Sequence, residues 1–239
     1  MPKPPVRSTR CFSNQRIGTV PALLKLVRLL ILILAVGPVS PTCGQAVELI
    51  HSFDFTNGAY PTSLILGRDG SFYGTTSGGG ANWYGVVFKL THLGQLTELC
   101  SFDAPDGVAP VALVEGSDGN FYGSTREGGA HGGGTFFKMS PDGSLTNLLS
   151  FPILGGQGVL FPLVEGADRA FYGTTTDGGS NFVGSVVRIT TNGLMTTIAS
   201  FSQTNGSRPW GWLTLGENGN FYGTASQGAE MDPEIRTTS

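Results

Sequence analysis

From residue 47 onward the apolar positions come in short runs, not in helical stripes. One stretch reads GVVFKL from Gly85, LTELCSF from Leu96, VALVEG from Val111 and FYGST from Phe121. Each run is rich in β-branched or aromatic residues and is bounded by turn residues. THLGQ, SPDGS and TTNGL follow GVVFKL, GTFFKM and GSVVRI. In these links Gly94, Gly143 and Gly193 supply the positive φ that a tight hairpin needs. SDGN joins VALVEG to FYGST. No 3.6-residue periodicity runs through residues 47–239, so the pattern predicts short antiparallel strands.

The pattern repeats. FYGTTSGGG, FYGSTREGG, FYGTTTDGG and FYGTASQGA begin at Phe72, Phe121, Phe171 and Phe221, spaced by 49, 50 and 50 residues. Leu64, Leu113, Leu163 and Leu213 lie eight residues before each Phe, and Asp69, Asp118, Asp168 and Asn218 lie three before. Ser-Phe pairs recur at 52–53, 101–102, 150–151 and 200–201. Gly85, Gly134 and Gly184 open the GxVFK-type run, which the last copy lacks. A fixed period of this length marks a solenoid, propeller or array. Four short strands per period fit a β-propeller blade. The expectation is an all-β, propeller-like domain over residues 47–228 with fifteen strands, its last repeat incomplete.

An active-site residue is rarely needed in every repeat, whereas a packing residue is. In a strand, Phe72 and Tyr73 point to opposite faces, and a blade buries both faces. Phe72, Tyr73, Phe121, Tyr122, Phe171, Tyr172, Phe221 and Tyr222 therefore read as scaffold. Asp69, Asp118 and Asp168 read as acceptors of backbone N–H groups in Asx-turns.

The start of the chain is a different object. Lys3, Arg7, Arg10, Arg16, Lys25 and Arg28 precede LLILILAV (29–36) and GPVSPTCGQA (37–46), with no acid among them. That order reads as a secretory signal peptide over residues 1–46. An uncleaved anchor competes with it, and lipidation at Cys43 is a weaker alternative. The chain has 14 Lys/Arg and 17 Asp/Glu. Removing the six leader cations leaves eight, for a net charge near −9. This argues against nucleic acid, which basic patches bind. Only Cys100 remains after residue 46, so no internal disulfide supports the fold. After Gly228 the pattern dissolves into an irregular tail, AEMDPEIRTTS over 229–239, which points to a truncated or fragmentary end.

The repeat resembles a known family. DGNFYGST, the glycines after it and GGGTFFKMSPDGSLTNLLSF are similar to the GloVer tandem repeat of secreted "choice-of-anchor" bacterial proteins. The resemblance covers about residues 47–228. It implies an exported, surface-associated propeller-like protein, and it supplies no catalytic residues.

The remaining chemistry is sparse. His51, His92 and His131 sit at unrelated offsets, and no pair has metal-ligand spacing. A calcium loop would need a DxDxDG-type run, which is absent. The sequence points to no metal and no cofactor. Lys89, Lys138 and Arg188 share one strand position; a repeated salt bridge or a solvated strand edge is the default and a cation-lined channel the alternative. Glu115 and Glu165 replace Leu66 and Leu215. They could serve a glycoside hydrolase only if about 5–9 Å apart.

Residues that break the repeat are the candidates for function. Trp83 lies in a Gly-rich loop. Trp210 and Trp212 are two apart and would share a face of an extended strand. Each occurs in one copy only, and tryptophan suits partly wet contacts. The alternative is that Trp210 and Trp212 plug the imperfect last blade. Three classes follow. One is a secreted or cell-surface binding or structural module, with a carbohydrate or cell-surface protein as partner. The second is an extracellular glycan-active enzyme. The third, a membrane-held sensor ectodomain, requires that the N-terminal segment stay uncleaved. The incomplete strand set also leaves an edge open to pairing with another chain.

Overall fold

The computed structural model describes residues 30–33, 48–153, 162–202, 204–209 and 211–228. The expected leader and tail lie outside these residues, apart from Leu30–Ile33 of the apolar run. That segment forms a short strand, β1, antiparallel to β2 (Glu48–Ser52).

No helix occurs among the described residues, and three four-stranded antiparallel sheets make up most of the fold. The first blade contains β3 (Ala59–Leu66), β4 (Phe72–Gly78), β5 (Val86–Leu90) and β6 (Leu96–Ser101), paired in that order. The second contains β7 (Val108–Glu115), β8 (Phe121–Glu127), β9 (Gly132–Met139) and β10 (Leu145–Pro152). The third contains β11 (Val164–Glu165), β12 (Phe171–Thr175), β13 (Ser185–Ile189) and β14 (Met195–Ser200). A final pair, β15 (Thr214–Leu215) and β16 (Phe221–Tyr222), begins a fourth. This is a β-propeller-type architecture.

The blades are half a period out of phase with the grouping the sequence suggests. VALVEG and FYGST open the second blade, whereas GVVFKL and LTELCSF close the first. The physical reason lies in the Gly-rich segment after each FYG phrase. Gly79, Gly80 and Gly85 all have positive φ, and the loop doubles the chain back so that β5 pairs with β4. The segment after each Ser-Phe pair instead carries the chain across to the next blade. Accordingly β2 plays the part of an outermost strand: Gly94 in the β5–β6 turn packs on the Ile50 carbonyl, as Gly143 in the β9–β10 turn packs on Leu99 of β6.

The core lies between blades. One cluster joins Tyr73, Val87 and Phe102 to Leu113, Phe121, Phe137 and Met139. The next joins Tyr122, Phe136 and Phe151 to Leu163, Phe171, Val187 and Ile189. The repeated dipeptide is the fastener. Tyr73 meets Phe121 with ring centroids 4.4 Å apart, Tyr122 meets Phe171 at 4.3 Å, and Tyr172 meets Phe221 at 4.2 Å. Each Tyr thus packs on the Phe of the following blade, contributing roughly 0.5–1.5 kcal/mol beyond area burial. The glycine after the dipeptide is required by close approach: a Cβ at Gly74 would run into the Ser63 carbonyl and the Phe88 ring.

Candidate functional site

Strand alternation gives the domain two ends. The turns between the first and second strands of a blade, and between its third and fourth, lie at one end. The Gly-rich loops and the crossovers between blades lie at the other.

The turn end holds the repeated charges. Asp69 Oδ1 accepts the Ser71 N–H at 2.9 Å, while Oδ2 accepts the Tyr73 hydroxyl at 2.9 Å and meets Lys89 Nζ at 2.8 Å. In the second blade Asp118 takes the Asn120 N–H at 3.1 Å, the Tyr122 hydroxyl at 2.8 Å and Lys138 Nζ at 3.3 Å. In the third, Asp168 takes the Ala170 N–H at 3.2 Å, the Tyr172 hydroxyl at 3.1 Å and Arg188 Nη2 at 2.7 Å. Lys89 and Lys138 also lie over the Tyr73 and Tyr122 rings, each 5.5 Å from the centroid.

These partners set the titrations. Lys89 foremost, then the Ser71 N–H and the Tyr73 hydroxyl, hold the Asp69 carboxyl well below the usual carboxylate range. Burial pushes Asp118 up, but bonds from Asn120, Tyr122 and Lys138 outweigh it and leave the group at about 2. Asp168 is lowered in the same way, against burial, chiefly by Arg188. Burial and the Asp118 carboxylate together raise the Tyr122 phenol. Every one of these shifts favours the ion pair already present, so the triads act as turn clasps.

Glu115 and Glu165 join successive blades. Glu115 accepts the Arg68 N–H at 2.9 Å, and Glu165 accepts the Ser117 N–H at 2.8 Å and its hydroxyl at 2.6 Å. Each acid at the end of a first strand therefore holds the first turn of the preceding blade. Cys100, in β6, is half-buried; burial, then the charges of Asp106, Glu98 and Asp103, push its thiol up to about 11. At that value it is protonated at neutral pH and a poor nucleophile. Among the described residues no group of three or more His, Cys, Asp or Glu could hold a metal ion.

The loop end holds the exposed aromatics. Trp83 is 65% exposed and has φ 68°. Its ring lies 6.3 Å from that of Phe55, which makes an edge contact at 5.9 Å with Tyr60. The two loops are tied together by the Gly80 N–H, which donates to the Phe55 carbonyl at 3.0 Å. Phe182 takes the Trp83 position in the third blade, is likewise exposed and has φ 57°. Beside it is a shallow hollow bordered by Asn181, Val183, Ser202 and Thr204. Trp212, before β15, is 69% exposed. Trp210 lies outside the described residues. The sequence pattern singles out Trp83 but not Phe55 or Tyr60; the signal that finds them is their replacement by alanine in the next copy, Ala104 and Ala109.

Solved structures similar to this chain are of β-propeller type. One is the extracellular domain of a protein assigned as a hybrid two-component system of Bacteroides thetaiotaomicron, 13% identical, with TM-score 0.54 over 77% of this chain and 23% of that one. Another is a protein of unknown function from the same species, 17% identical, with TM-score 0.53 over 75% and 44%. A third is a gluconolactonase from Xanthomonas campestris, 12% identical, with TM-score 0.50 over 72% and 56%. At these identities the likeness is one of fold, and the chain spans 23% to 56% of their lengths. No curated protein matches it. The Gloeobacter/Verrucomicrobia repeat model matches residues 39–233, and the chain belongs to that family.

Proposed function

We propose that this chain is a secreted or cell-surface β-propeller module that acts by binding through its loop end. The supporting observation is a division of labour between the ends. The repeated ionisable side chains at the turn end are engaged with one another. At the loop end, Tyr60, Trp83 and Phe182 stand in water. The turn end exposes single leucines, Leu66, Leu93 and Leu194, whereas exposed aromatics on a loop face suit an interaction site. The net charge near −9 after residue 46 disfavours nucleic acid, and amphipathic aromatics favour a carbohydrate or a surface protein. A glycan-active enzyme using Glu115 and Glu165 is the weaker reading, because both carboxylates already serve backbone N–H groups.

The test has two arms. Fractionation of cells producing the tagged chain is expected to place it in the medium or at a protease-accessible surface; a wholly intracellular pool would remove export from the proposal. The purified chain is expected to be retained on some of a panel of insoluble polysaccharides, isolated cell walls and surface-protein extract. Failure on every member would remove binding.

A further inference from the structure

We infer that Phe55, Tyr60 and Trp83 form a binding site for neutral pyranose carbohydrate on the first blade. This rests on the binding-module reading and names its site and ligand class.

The argument comes from the second blade, which ties its corresponding loops together without these side chains. Ala104, Ala109 and Gly132 stand at the three corresponding positions. The tie between the loops persists, with the Gly129 N–H donating to the Ala104 carbonyl at 2.8 Å. The turn persists too: the Gly132 N–H donates to the Gly129 carbonyl at 3.2 Å, as Trp83 does to Gly80 at 3.3 Å. Tyr60 and Ala109 share the left-handed conformation, with φ 56° and 54°, as do Trp83 and Gly132, with φ 68° and 76°. The scaffold therefore has no need of aromatics here. Glycine adopts that backbone without strain, whereas a bulky residue does not. The first blade thus carries three large side chains where the second carries small ones, and all three sit in left-handed backbone, Phe55 with φ 69°.

Chemistry then narrows the ligand. The Phe55 ring stands edge-on to Tyr60 and tilted to Trp83, which clusters the three, and the tyrosine and tryptophan also bring a hydroxyl and an indole N–H. A pyranose has the matching pair of properties: a flat C–H face to lie on a ring and hydroxyls for the polar tips. The one ionised side chain in the β2–β3 loop, Asp54, is occupied locally: its Oδ1 accepts the Thr56 N–H and hydroxyl and the Asn57 N–H. With its charge so engaged, the site suits a neutral sugar.

The second blade also supplies the experiment. The full chain carrying Phe55→Ala, Tyr60→Ala and Trp83→Gly together takes the second blade's side chains, and at positions 60 and 83 also its backbone conformation. Affinity electrophoresis through gels containing soluble β-glucan, xyloglucan or mannan measures binding, and thermal unfolding measures folding. The expected result is an unchanged or higher Tm with at least a tenfold loss of affinity for the polysaccharide that retards the parent. The reciprocal variant, Ala104→Phe with Ala109→Tyr and Gly132→Trp, is expected to increase retardation. A triple variant that is folded and still fully retarded overturns the site. A large fall in Tm overturns it as well, by showing that the rings are scaffold. If the parent ignores all three glycans but is retained by surface-protein extract, this inference falls and the binding-module reading stands. If nothing retains the parent, both fall.

Discussion

The seam between the second and third blades and the seam between the third and the last differ in completeness. At the inner seam Tyr122 and Phe171 are both fully buried, and Glu165 grips Ser117. At the outer seam the Tyr172–Phe221 stack is still present at 4.2 Å, yet both rings are only partly buried. Ala167 and Leu215 stand where the inner seam has Ser117 and Glu165, so the acid clasp is lost. The triad changes in step. Asn218 replaces the aspartate and donates to the Tyr222 hydroxyl at 2.8 Å, while among the described residues no third strand brings a lysine. A carboxylate without its cation would gain little there, and a neutral amide keeps the tyrosine bond. The aromatic stack thus needs only two strands from the later blade, whereas the charged triad needs three.

The largest break in this comparison comes from the stack. Phe171→Ala is expected to cost about 3–5 kcal/mol in denaturant unfolding, whereas Phe221→Ala, half-exposed at its seam, should cost less than half as much. Equal losses would mean that the outer seam is as tightly packed as the inner. Next comes the clasp. Glu165→Ala should cost roughly 1 kcal/mol, and Ala167→Ser with Leu215→Glu should return roughly half of that to the outer seam. No gain in Tm from the double replacement would show that Glu165 does not act through Ser117.

A smaller effect lies in acid. Asp118 sits at about 2 in the fold against an ordinary aspartate value of 3.8. The unfolded chain therefore binds more protons between these values. The contribution is fully present above about pH 4 and fades as pH falls toward 2. Because the pair is partly exposed, screening limits it to about 1 kcal/mol. Asp118→Asn should flatten that part of the stability–pH curve; an unaltered curve would rule out the triad as its source. The smallest change expected is Trp212→Ala, within about 0.5 kcal/mol for a side chain so exposed. A collapse in Tm would restore it as a plug.

The repeat, the strand content and the scaffold role of the FYG phrase were legible because identical residues return at fixed offsets, which packing demands and solvent does not. Asp69 as a turn acceptor and Lys89 as a repeated cation position were legible for the same reason; that the two pair was not. The phase of the blades was not. A Gly-rich segment such as 78–85 reads equally well as a boundary or as a wide hairpin, and only the pairing of β4 with β5 decides. The Tyr73–Phe121 stack was hidden because it joins residues 48 apart in different sheets. Glu115 and Glu165 stood out as departures from leucine, yet their partners belong to the turn of another blade. Trp83 was visible through its rarity. Phe55 and Tyr60 were not, since aromatic residues are common in this chain and only comparison with Ala104 and Ala109 isolates them.

The half-period phase has a consequence for how such a chain can be lengthened or shortened. Genetic duplication copies repeats, but folding assembles blades, and each blade takes its first two strands from one repeat and its last two from the next. The two units overlap like courses of brick laid in running bond. A whole period of about 50 residues can be added or removed between any two copies, and every new junction still presents a tyrosine to a phenylalanine and, where the acid is kept, a glutamate to a turn. Loops absorb single residues, as the spacings of 49 and 50 show, but loss or gain of one or two strands would place a third strand beside the wrong second strand and be felt in two blades at once. Selection would therefore count this protein in whole periods, and the near-constant spacings of 49, 50 and 50 are what such counting leaves behind.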